Sequence, residues 1–276
     1  MTGRPPHRTP RSRLDAELVR RGLARSRDQA AGLIAAGRVS VGGDAAAKPA
    51  TQVTRDAPIT VADVSGEPDY VSRGGHKLAG ALAAFPGLAV AGRACLDAGA
   101  STGGFTDVLL RAGAAHVTAV DVGYGQLAWS LRTDPRVTVL DRVNVRSLGP
   151  EQVAGPDGLP GLVVADLSFI SLALVLPALA GCAAADADFV LLVKPQFEVG
   201  KGRVGAGGVV RDAGLRAEAI KAVCGAAAEL GLGVQGVTAS PLPGPAGNVE
   251  YFVWLRRGAP PLEDEDLWRA ITEGPE

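Results

Sequence analysis

Short apolar runs alternate with helical segments from about residue 70 to the end of the chain. The apolar runs predict β-strands over residues 94–96, 116–120, 137–140, 162–165, 189–193, 233–240 and 250–255. Helical segments lie between most of these strands, and an amphipathic helix at 76–85 precedes the first strand. This alternation predicts a mostly parallel sheet with helices on both faces, so the expected fold class is α/β.

The first fifty residues follow a different pattern, in which two short helices precede a hairpin. Leu14 and Leu18 fall at helical spacing, and Ser26 can cap a second helix. Apolar and polar residues then alternate from residue 39 and end on two glycines at 42–43, which is typical of a β-hairpin. These elements predict a compact α+β module ahead of the larger domain.

Positive charge is concentrated in this small module. Residues 1–48 contain ten lysines and arginines against four acids, whereas the whole 276-residue chain has a net charge of -1. A basic module joined to a mildly acidic domain suggests that the module holds a polyanion while the domain carries out chemistry. The alternative is a basic face that is merely solvated.

Three further features narrow the class of protein. The three cysteines lie far apart, so we expect no disulfide framework and no metal site, and a reducing cytoplasm fits. The N-terminus lacks the apolar segment of a secretory signal. The charge-free run at 167–185 contains two serines, a proline and a glycine, and a buried strand followed by a buried helix explains it better than a membrane span. We therefore expect a soluble protein.

A glycine-rich turn between the strand at 94–96 and a helix at about 105–112 gives the strongest chemical signal. The strand ends in Asp97, and the glycines that follow have no Cβ to keep backbone N–H groups away from a ligand at the helix N-terminus. At the end of the next strand, Asp121 can accept hydrogen bonds from ribose hydroxyls. The pattern therefore indicates a site for a nucleoside cofactor.

The identity of the cofactor depends on the other residues of the turn. The turn reads D-x-G-x-S-x-G-G-F, which differs from the G-x-G-x-x-G turn that admits a pyrophosphate. The carboxylate of Asp97 would repel a diphosphate, but it suits the cationic methionine end of S-adenosylmethionine. The residues favour S-adenosylmethionine, while a dinucleotide and a tight turn without any ligand stay open as alternatives.

Four charged residues surround the predicted ligand crevice. Asp166 and Lys194 each end an apolar strand, Lys77 lies on the helix before the first strand, and Glu250 enters the last strand. The carboxyl ends of the strands line the crevice in an open α/β sheet. Each of these charged residues alone would be interpreted as a strand-end group that faces solvent. Asp166 and Lys194 together, beside the predicted cofactor turn, favour a catalytic site. The glycine-rich segment 200–208 is either a mobile lid or substrate loop, or a disordered connection.

Two groups of motifs resemble known families. Arg13-Leu14-Asp15, together with residues 21–30, 33–34 and 37–39, resembles an S4 RNA-binding domain. The rest looks like an FtsJ-type, Rossmann-like S-adenosylmethionine-dependent methyltransferase domain. Its motifs are the segments 72–77, 97–106, 166–169, 194–198 and 207–212. In this order the two domains are similar to the TlyA (hemolysin A) family of ribosomal RNA 2'-O-methyltransferases, over about residues 11–257.

The resemblance, combined with the composition, implies a division of the chain into five parts. These are a disordered N-terminus at 1–10, an S4-like RNA-binding domain at 11–66, a linker at 67–72, a methyltransferase domain at 73–257 and a C-terminal tail at 258–276. The linker carries Tyr70 where relatives have tryptophan, which puts any role of the linker in cofactor affinity in doubt.

The resemblance also implies a catalytic tetrad of Lys77, Asp166, Lys194 and Glu250. In such enzymes a ribose 2'-hydroxyl attacks the sulfonium methyl group in line, and Lys194 is the candidate general base. The like charge of Lys77 and partial burial would favour its neutral amine. Asp166 would orient Lys194, and Glu250 would balance the surplus positive charge.

Cofactor and RNA contacts follow from the same resemblance. Expected cofactor-binding residues are Asp97, Gly99, Ala100, Ser101, Gly103, Gly104, Phe105, Asp121, Asp141, Asn144 and Asp166, with residues 141–144 near the adenine. Expected phosphate contacts in the small module are Arg11, Arg13, Arg25, Arg27, Arg38 and Lys48. The implied substrate is a cytidine of 16S or 23S ribosomal RNA, or of both, either as RNA or as ribosomal subunits. We expect a monomer.

Other functions stay open at this point. An RNA-binding assembly factor with an inert methyltransferase domain would keep the fold without the chemistry, although the tetrad residues argue against it. A pore-forming haemolysin would need a signal or an amphipathic membrane segment, and neither is visible in the sequence. A small-molecule methyltransferase would leave the basic module unexplained.

Overall fold

The computed structural model describes residues 11–24, 26–62, 69–156 and 158–274, apart from the side chain of Lys201. The chain divides into two compact units, one ending at Asp69 and the other beginning at Tyr70. The disordered terminus expected at 1–10 lies outside the described residues, as do Arg25 and residues 67–68 of the expected linker.

The small unit has the predicted pair of helices and the hairpin. Its elements are β1 (Arg11–Arg13), α1 (Leu14–Arg20), α2 (Arg27–Ala35), β2 (Val39–Val41), β3 (Asp44–Ala45), β4 (Gln52–Thr54) and β5 (Ile59–Val61). The Ser26 side chain caps α2 by accepting a hydrogen bond from Gln29 N. Strands β2 and β3 are joined through Gly42 and Gly43, both with positive φ, so the sequence correctly predicted the hairpin.

A seven-stranded sheet forms the centre of the large unit. Its strands are β6 (Ala94–Ala98), β7 (His116–Asp121), β8 (Val137–Asp141), β9 (Leu162–Ala165), β10 (Asp188–Val193), β11 (Leu232–Ala239) and β12 (Tyr251–Arg257). They lie in the order β11-β12-β10-β9-β6-β7-β8. The five strands from β10 to β8 are parallel, and β12 runs antiparallel to both of its neighbours. The prediction of a mostly parallel sheet is confirmed.

Helices cover both faces of this sheet. They are α3 (Arg73–Ala84), α4 (Gly104–Arg111), α5 (Trp129–Arg132), α6 (Pro150–Val153), α7 (Leu176–Gly181), α8 (Pro195–Glu198), α9 (Ala213–Ala228) and α10 (Asp264–Thr272). One face packs against α3, α4 and α5, and the other packs against α6, α7, α9 and α10. Helix α10 buries Leu267, Ala270 and Ile271, so part of the segment expected to be a tail belongs to the folded unit.

The structure corrects three expectations about element boundaries. The first strand extends through Asp97 to Ala98, so Asp97 lies inside the strand and does not end it. Helix α3 begins at Arg73, three residues earlier than expected, because its first turn is rich in glycine and lacks the apolar periodicity that marks a helix. The run at 167–185 contains no strand, since it starts in the turn after β9 and then forms a 3-10 turn and α7. Across the described residues, no helix is both long enough and apolar enough to cross a membrane.

Candidate active site

Asp97 is a buried carboxylate with only half of its hydrogen-bonding capacity used. Its Oδ2 accepts a hydrogen bond of 2.6 Å from the Thr106 hydroxyl, while Oδ1 is buried without a hydrogen-bond partner among the described residues. Burial raises the pKa of Asp97 to about 7, although the Thr106 hydrogen bond opposes the shift. A buried acceptor without a donor is costly in a folded protein, and it marks a place where a cationic or N–H group of a ligand would be stabilised.

The glycines after Asp97 allow three segments of backbone to meet. Gly99 has a φ of 87°, and a Cβ on it would lie 2.5 Å from the carbonyl oxygen of Asp166. Gly103 also has a positive φ, and its Cβ would clash with Leu127 and Leu131. Gly104 begins α4, and its Cβ would lie 2.7 Å from the backbone nitrogen of Gly75. The glycines are therefore needed for close packing around the turn as well as for ligand approach.

Asp121 connects the turn to the next strand. One carboxylate oxygen accepts a hydrogen bond of 2.8 Å from Ser101 N, and the other accepts one of 2.6 Å from Gly123 N. Ser101 is exposed and has a positive φ of 47°, which the Asp121 hydrogen bond helps to hold. Since a carboxylate has about four acceptor positions, Asp121 keeps capacity for two ribose hydroxyls.

The other expected cofactor residues occupy varied environments. Ala100 is buried beside the turn, and the Phe105 side chain packs in the core, 5.9 Å from the ring of Phe252. Asp141 accepts a hydrogen bond of 2.7 Å from Arg132, which holds the pKa of its carboxyl below its usual value. Asn144 is exposed, and its side chain caps a 3-10 turn. A ligand could meet Phe105 through its backbone only, whereas Asn144 is exposed enough for direct contact.

Lys194 and Asp166 form one ion pair of the expected tetrad. Lys194 directly follows β10, is 8% exposed, and places Nζ 2.6 Å from Asp166 Oδ1. The same Nζ donates a hydrogen bond of 2.9 Å to the hydroxyl of Ser168. Asp166 and Ser168 both belong to the turn after β9, and Asp166 N bonds to the carbonyl oxygen of Ala98 next to the glycine turn.

Lys77 and Glu250 form the second ion pair. Lys77 Nζ donates to Glu250 Oε2 at 2.5 Å, and both side chains are buried. Strands β10 and β12 are antiparallel with Val193 opposite Tyr251, so Lys194 and Glu250 are the next residues in that register. Neighbouring positions on antiparallel strands lie about 5 Å apart between Cα atoms. The structure therefore places the four expected residues in two adjacent ion pairs, each formed by one lysine and one carboxylate.

Asn248 ties the glycine-rich segment to this site. Its Oδ1 accepts a hydrogen bond of 2.8 Å from Val210 N, and its Nδ2 donates one of 2.8 Å to the carbonyl oxygen of Gly208. Asn248 is buried two residues before Glu250. The segment expected to be a lid or a disordered connection forms two exposed 3-10 turns, and its far end is fixed beside the tetrad.

The expected RNA-binding residues of the small unit differ in how they are held. Arg13 and Arg27 both donate to Asp15, at 2.8 Å and 3.0 Å, and this lowers the pKa of the Asp15 carboxyl below its usual range. Arg38 donates to the carbonyl oxygen of Ala62, while Lys48 is exposed. Arg11 is exposed on β1, and Arg25 lies outside the described residues.

The sequence indicates Thr106 and Ser168 only as members of longer motifs, and it indicates no role for Asn248. A hydroxyl nine residues after a buried acid is not a recognisable pattern, because the contact depends on the path of the turn. Ser168 could have been found, since it lies two residues after Asp166 in the turn that follows an apolar strand. Among the described residues, no cluster of three or more His, Cys, Asp or Glu side chains could hold a metal ion.

Comparison with known proteins gives the class. Residues 70–257 match the family described as FtsJ-like methyltransferase, and residues 12–59 match the family described as S4 domain. Both matches agree with the resemblance inferred from the sequence motifs. The protein is thus a methyltransferase with an FtsJ-like catalytic domain and an S4 domain.

Individual relatives narrow the class to a family. The chain is 65% identical to the "16S/23S rRNA (cytidine-2'-O)-methyltransferase TlyA" of Mycobacterium tuberculosis, over 96% of this chain and 99% of the relative. It is 38% identical to "Hemolysin A" of Brachyspira hyodysenteriae, over 87% of this chain and 98% of the relative. The solved structure "Putative hemolysin from Streptococcus thermophilus" is 38% identical with a TM-score of 0.74, covering 96% and 98% of the two chains. The chain belongs to the TlyA (hemolysin A) family.

Proposed function

We propose that this protein transfers a methyl group from S-adenosylmethionine to the ribose 2'-oxygen of a cytidine in 16S or 23S ribosomal RNA, or in both. The observation that carries the proposal is the pair of lysine–carboxylate contacts beside the glycine turn, of which the Lys77–Glu250 contact is buried and the Lys194–Asp166 contact is partly exposed. The family and its rRNA-modifying relative support the choice of substrate. Because ribosomes are in the cytoplasm, a protein that methylates rRNA acts there.

The residues present fit S-adenosylmethionine. The unpaired Oδ1 of Asp97 is an acceptor for the ammonium group of the methionine end, and the remaining acceptor positions of Asp121 suit the ribose hydroxyls. Asn144 is exposed near Asp121, where it could contact the adenine. S-adenosylmethionine supplies a methyl carbon on a positively charged sulfur, and the sulfur retains the bonding electron pair when the methyl group is transferred.

Lys194 acts as the general base in this proposal. The neutral amine takes the proton of the 2'-hydroxyl, the oxygen's electron pair forms the new O–C bond, and the C–S bond breaks. Asp166 orients the amine and stabilises the resulting ammonium group at 2.6 Å. Lys77 is paired with the buried carboxylate of Glu250 at 2.5 Å. Positioning of the two reactants contributes the rest of the rate, because the reaction only moves one positive charge from the sulfur to the Lys194 amine and leaves the net charge of the site unchanged.

The small unit supplies RNA affinity in this proposal. Exposed cations such as Arg11 and Lys48 meet phosphates without reading the base, and Asp15 holds Arg13 and Arg27 as one basic pair. Reversing Arg11 and Lys48 to glutamate should raise the KM for RNA by about tenfold or more, with the KM for the methyl donor unchanged. Equal increases in both constants would contradict a separate RNA-binding role.

Mass spectrometry of nuclease-digested rRNA tests the central claim. Ribosomal RNA and isolated 30S and 50S subunits are incubated with the wild-type protein or with Lys194→Ala, and nucleosides with 2'-O-methyl groups are mapped. We expect 2'-O-methylcytidine only with the wild-type protein. RNA binding without methylation by the wild type would favour an inert assembly factor, and methylation of a base would exclude the ribose mechanism. Comparison of the two subunits identifies the substrate.

A further inference from the structure

We propose that Ser168 is a positioning residue for the general base Lys194. This inference rests on the proposed function and adds a residue outside the four-residue tetrad. The Ser168 hydroxyl accepts a hydrogen bond of 2.9 Å from Lys194 Nζ, and Asp166 Oδ1 lies 2.6 Å from the same nitrogen. Both acceptors belong to one turn, because they are separated by a single residue after β9.

The number of hydrogens on the lysine nitrogen explains why two acceptors matter. A neutral amine has two N–H donors and one lone pair, whereas an ammonium group has three donors. Ser168 takes one donor of the neutral amine, and Asp166 Oδ1, at 2.6 Å from the nitrogen, attracts the second donor to its side, so the lone pair is left at the third position. That position is where the 2'-hydroxyl must lie for its proton to be taken. Without Ser168 the amine can rotate about its Cε–Nζ bond, and the lone pair loses its fixed direction.

The turn that carries Ser168 is held tightly in place. Its first residue, Asp166, donates from its backbone N–H to Ala98 and presents its carbonyl oxygen to Gly99, where a Cβ would lie only 2.5 Å away. Phe169 has a positive φ of 65°, an uncommon conformation for a non-glycine residue that must be held by its surroundings. Ser171 donates to Glu198 at 2.5 Å and thereby fixes the far end of the turn to α8. Ser168 therefore has a defined direction although it is exposed.

Among the described residues, the second lysine, Lys77, has no neutral acceptor beside its carboxylate partner. Lys77 has Glu250 as its acceptor at 2.5 Å, and Glu250 is only 1% exposed. Lys194 instead has one carboxylate and one neutral hydroxyl beside its nitrogen. This difference between an all-carboxylate and a mixed environment assigns the base to Lys194 and the fixed cation to Lys77.

Three variants test the role of Ser168. Ser168→Ala removes the acceptor, Ser168→Thr retains a hydroxyl at the same atom, and Ser171→Ala is the matched control that loosens the same turn without touching Lys194. Single-turnover methylation is measured against pH for each, together with both KM values and the melting temperature. We expect Ser168→Ala to lower the rate by about tenfold or more while both KM values stay within about twofold.

The expected pattern separates positioning from loosening of the turn. The acidic limb of the Ser168→Ala pH–rate profile should move to lower pH, because the protonated amine has lost one acceptor. Ser168→Thr should restore most of the rate, and Ser171→Ala should lower the melting temperature without moving the limb. The inference is overturned if Ser168→Ala behaves like the wild type, if threonine fails to rescue, or if Ser171→Ala moves the limb equally. If the wild type adds no methyl group to a ribose 2'-oxygen, the proposed function itself falls, and the role of Ser168 falls with it.

Discussion

The two ends of the central sheet both contain buried acids, but they use them differently. At the amino end, Asp188 starts β10 and is 4% exposed. It accepts from Arg93 at 2.7 Å and from the indole N–H of Trp254 at 2.8 Å, so both of its oxygens are occupied. At the carboxyl end, Asp97 is completely buried with one oxygen occupied and the other without a partner in the described part of the chain.

From this difference we expect the amino end of the sheet to serve stability and the carboxyl end to serve chemistry. A buried carboxylate with a donor on each oxygen is stabilised by the protein itself, and removing one partner leaves part of its charge uncompensated. A buried carboxylate with a vacant acceptor lowers stability unless a ligand completes it. Functional sites are where such unfavourable groups persist. We therefore expect changes at the amino end to act on folding and changes at the carboxyl end to act on the reaction.

Replacing Lys194 with methionine should give the largest effect. Methionine keeps an apolar stem of similar length but has no proton acceptor, and loss of a general base typically costs about 10²- to 10⁴-fold in rate. The stability cost should stay within about 1 kcal/mol, because Asp166 retains access to solvent. Single-turnover methylation and thermal unfolding measure the two effects on the same sample. A fall in melting temperature large enough to account for the lost activity would contradict the expectation that Lys194 acts on the reaction and not on folding.

Replacing Asp97 with asparagine tests the vacant acceptor. The raised pKa of about 7 means that folded Asp97 stays protonated at pH values where the unfolded chain, with a pKa near 3.8, is ionised. The free energy of unfolding should therefore fall as pH rises from about 4 to 7, by on the order of 4 kcal/mol from this group. Asp97→Asn should lack this decrease, yet it should bind the methyl donor more weakly.

Denaturant unfolding at about pH 5 and about pH 9, with calorimetric titration of the donor, measures both effects. Wild-type affinity for the donor should also fall below about pH 7, since protonation removes the charge that the ammonium group needs. An Asp97→Asn protein that binds the donor normally would show that the unpaired oxygen is not part of the site.

Replacing Asp188 with alanine tests the amino end. The change removes the only carboxylate partner that Arg93 and the Trp254 N–H have in hydrogen bonds among the described residues, although Arg93 still donates to the carbonyl oxygens of Ala89 and Gly161. Breaking a buried pair of this kind costs about 3 to 5 kcal/mol. The rate constant of the folded fraction should stay within about twofold of the wild type, because Asp188 lies at the opposite end of the sheet from Lys194. Urea unfolding and active-site titration separate these effects. A large change in rate at full folding would contradict the division between the two ends.

The sequence predicts much of the site because its motifs are local. The D-x-G-x-S-x-G-G-F turn and the charges after the apolar strands indicated Asp97, Asp166 and Lys194. The register of the sheet then explains why Lys194 and Glu250 lie at neighbouring positions. The pairing of Lys77 with Glu250 could not be predicted from spacing, since 173 residues separate them. The sequence suggested that the like charge of Lys77 acts on Lys194, whereas each lysine has its own carboxylate in the structure.

The contacts of Asp188 at the amino end of the central sheet could not be predicted from the sequence. Asp188 sits at the start of an apolar strand, and nothing nearby in the sequence identifies Arg93 or Trp254 as its partners. Those contacts depend on strand order and on the antiparallel register of β10 and β12, which places Asp188 opposite Arg256 and diagonally beside Trp254. Helix α3 likewise began earlier than expected, because packing of Gly75 against Tyr70 and Gly104 replaces the apolar periodicity that marks a helix.

The smallest effects should come from removing one hydrogen bond with a neutral donor at each end of the sheet. Trp254→Phe removes the indole N–H from Asp188, and Thr106→Val removes the hydroxyl from Asp97 with little change in shape. Each should cost about 1 kcal/mol of stability. Only Thr106→Val should also shift donor binding, because losing a donor to the carboxylate raises the pKa of Asp97 further. The pH at which donor affinity falls should then move upward in Thr106→Val and stay unchanged in Trp254→Phe. Calorimetric titration across pH measures this shift, and equal behaviour of the two variants would show that the ends of the sheet do not differ in function.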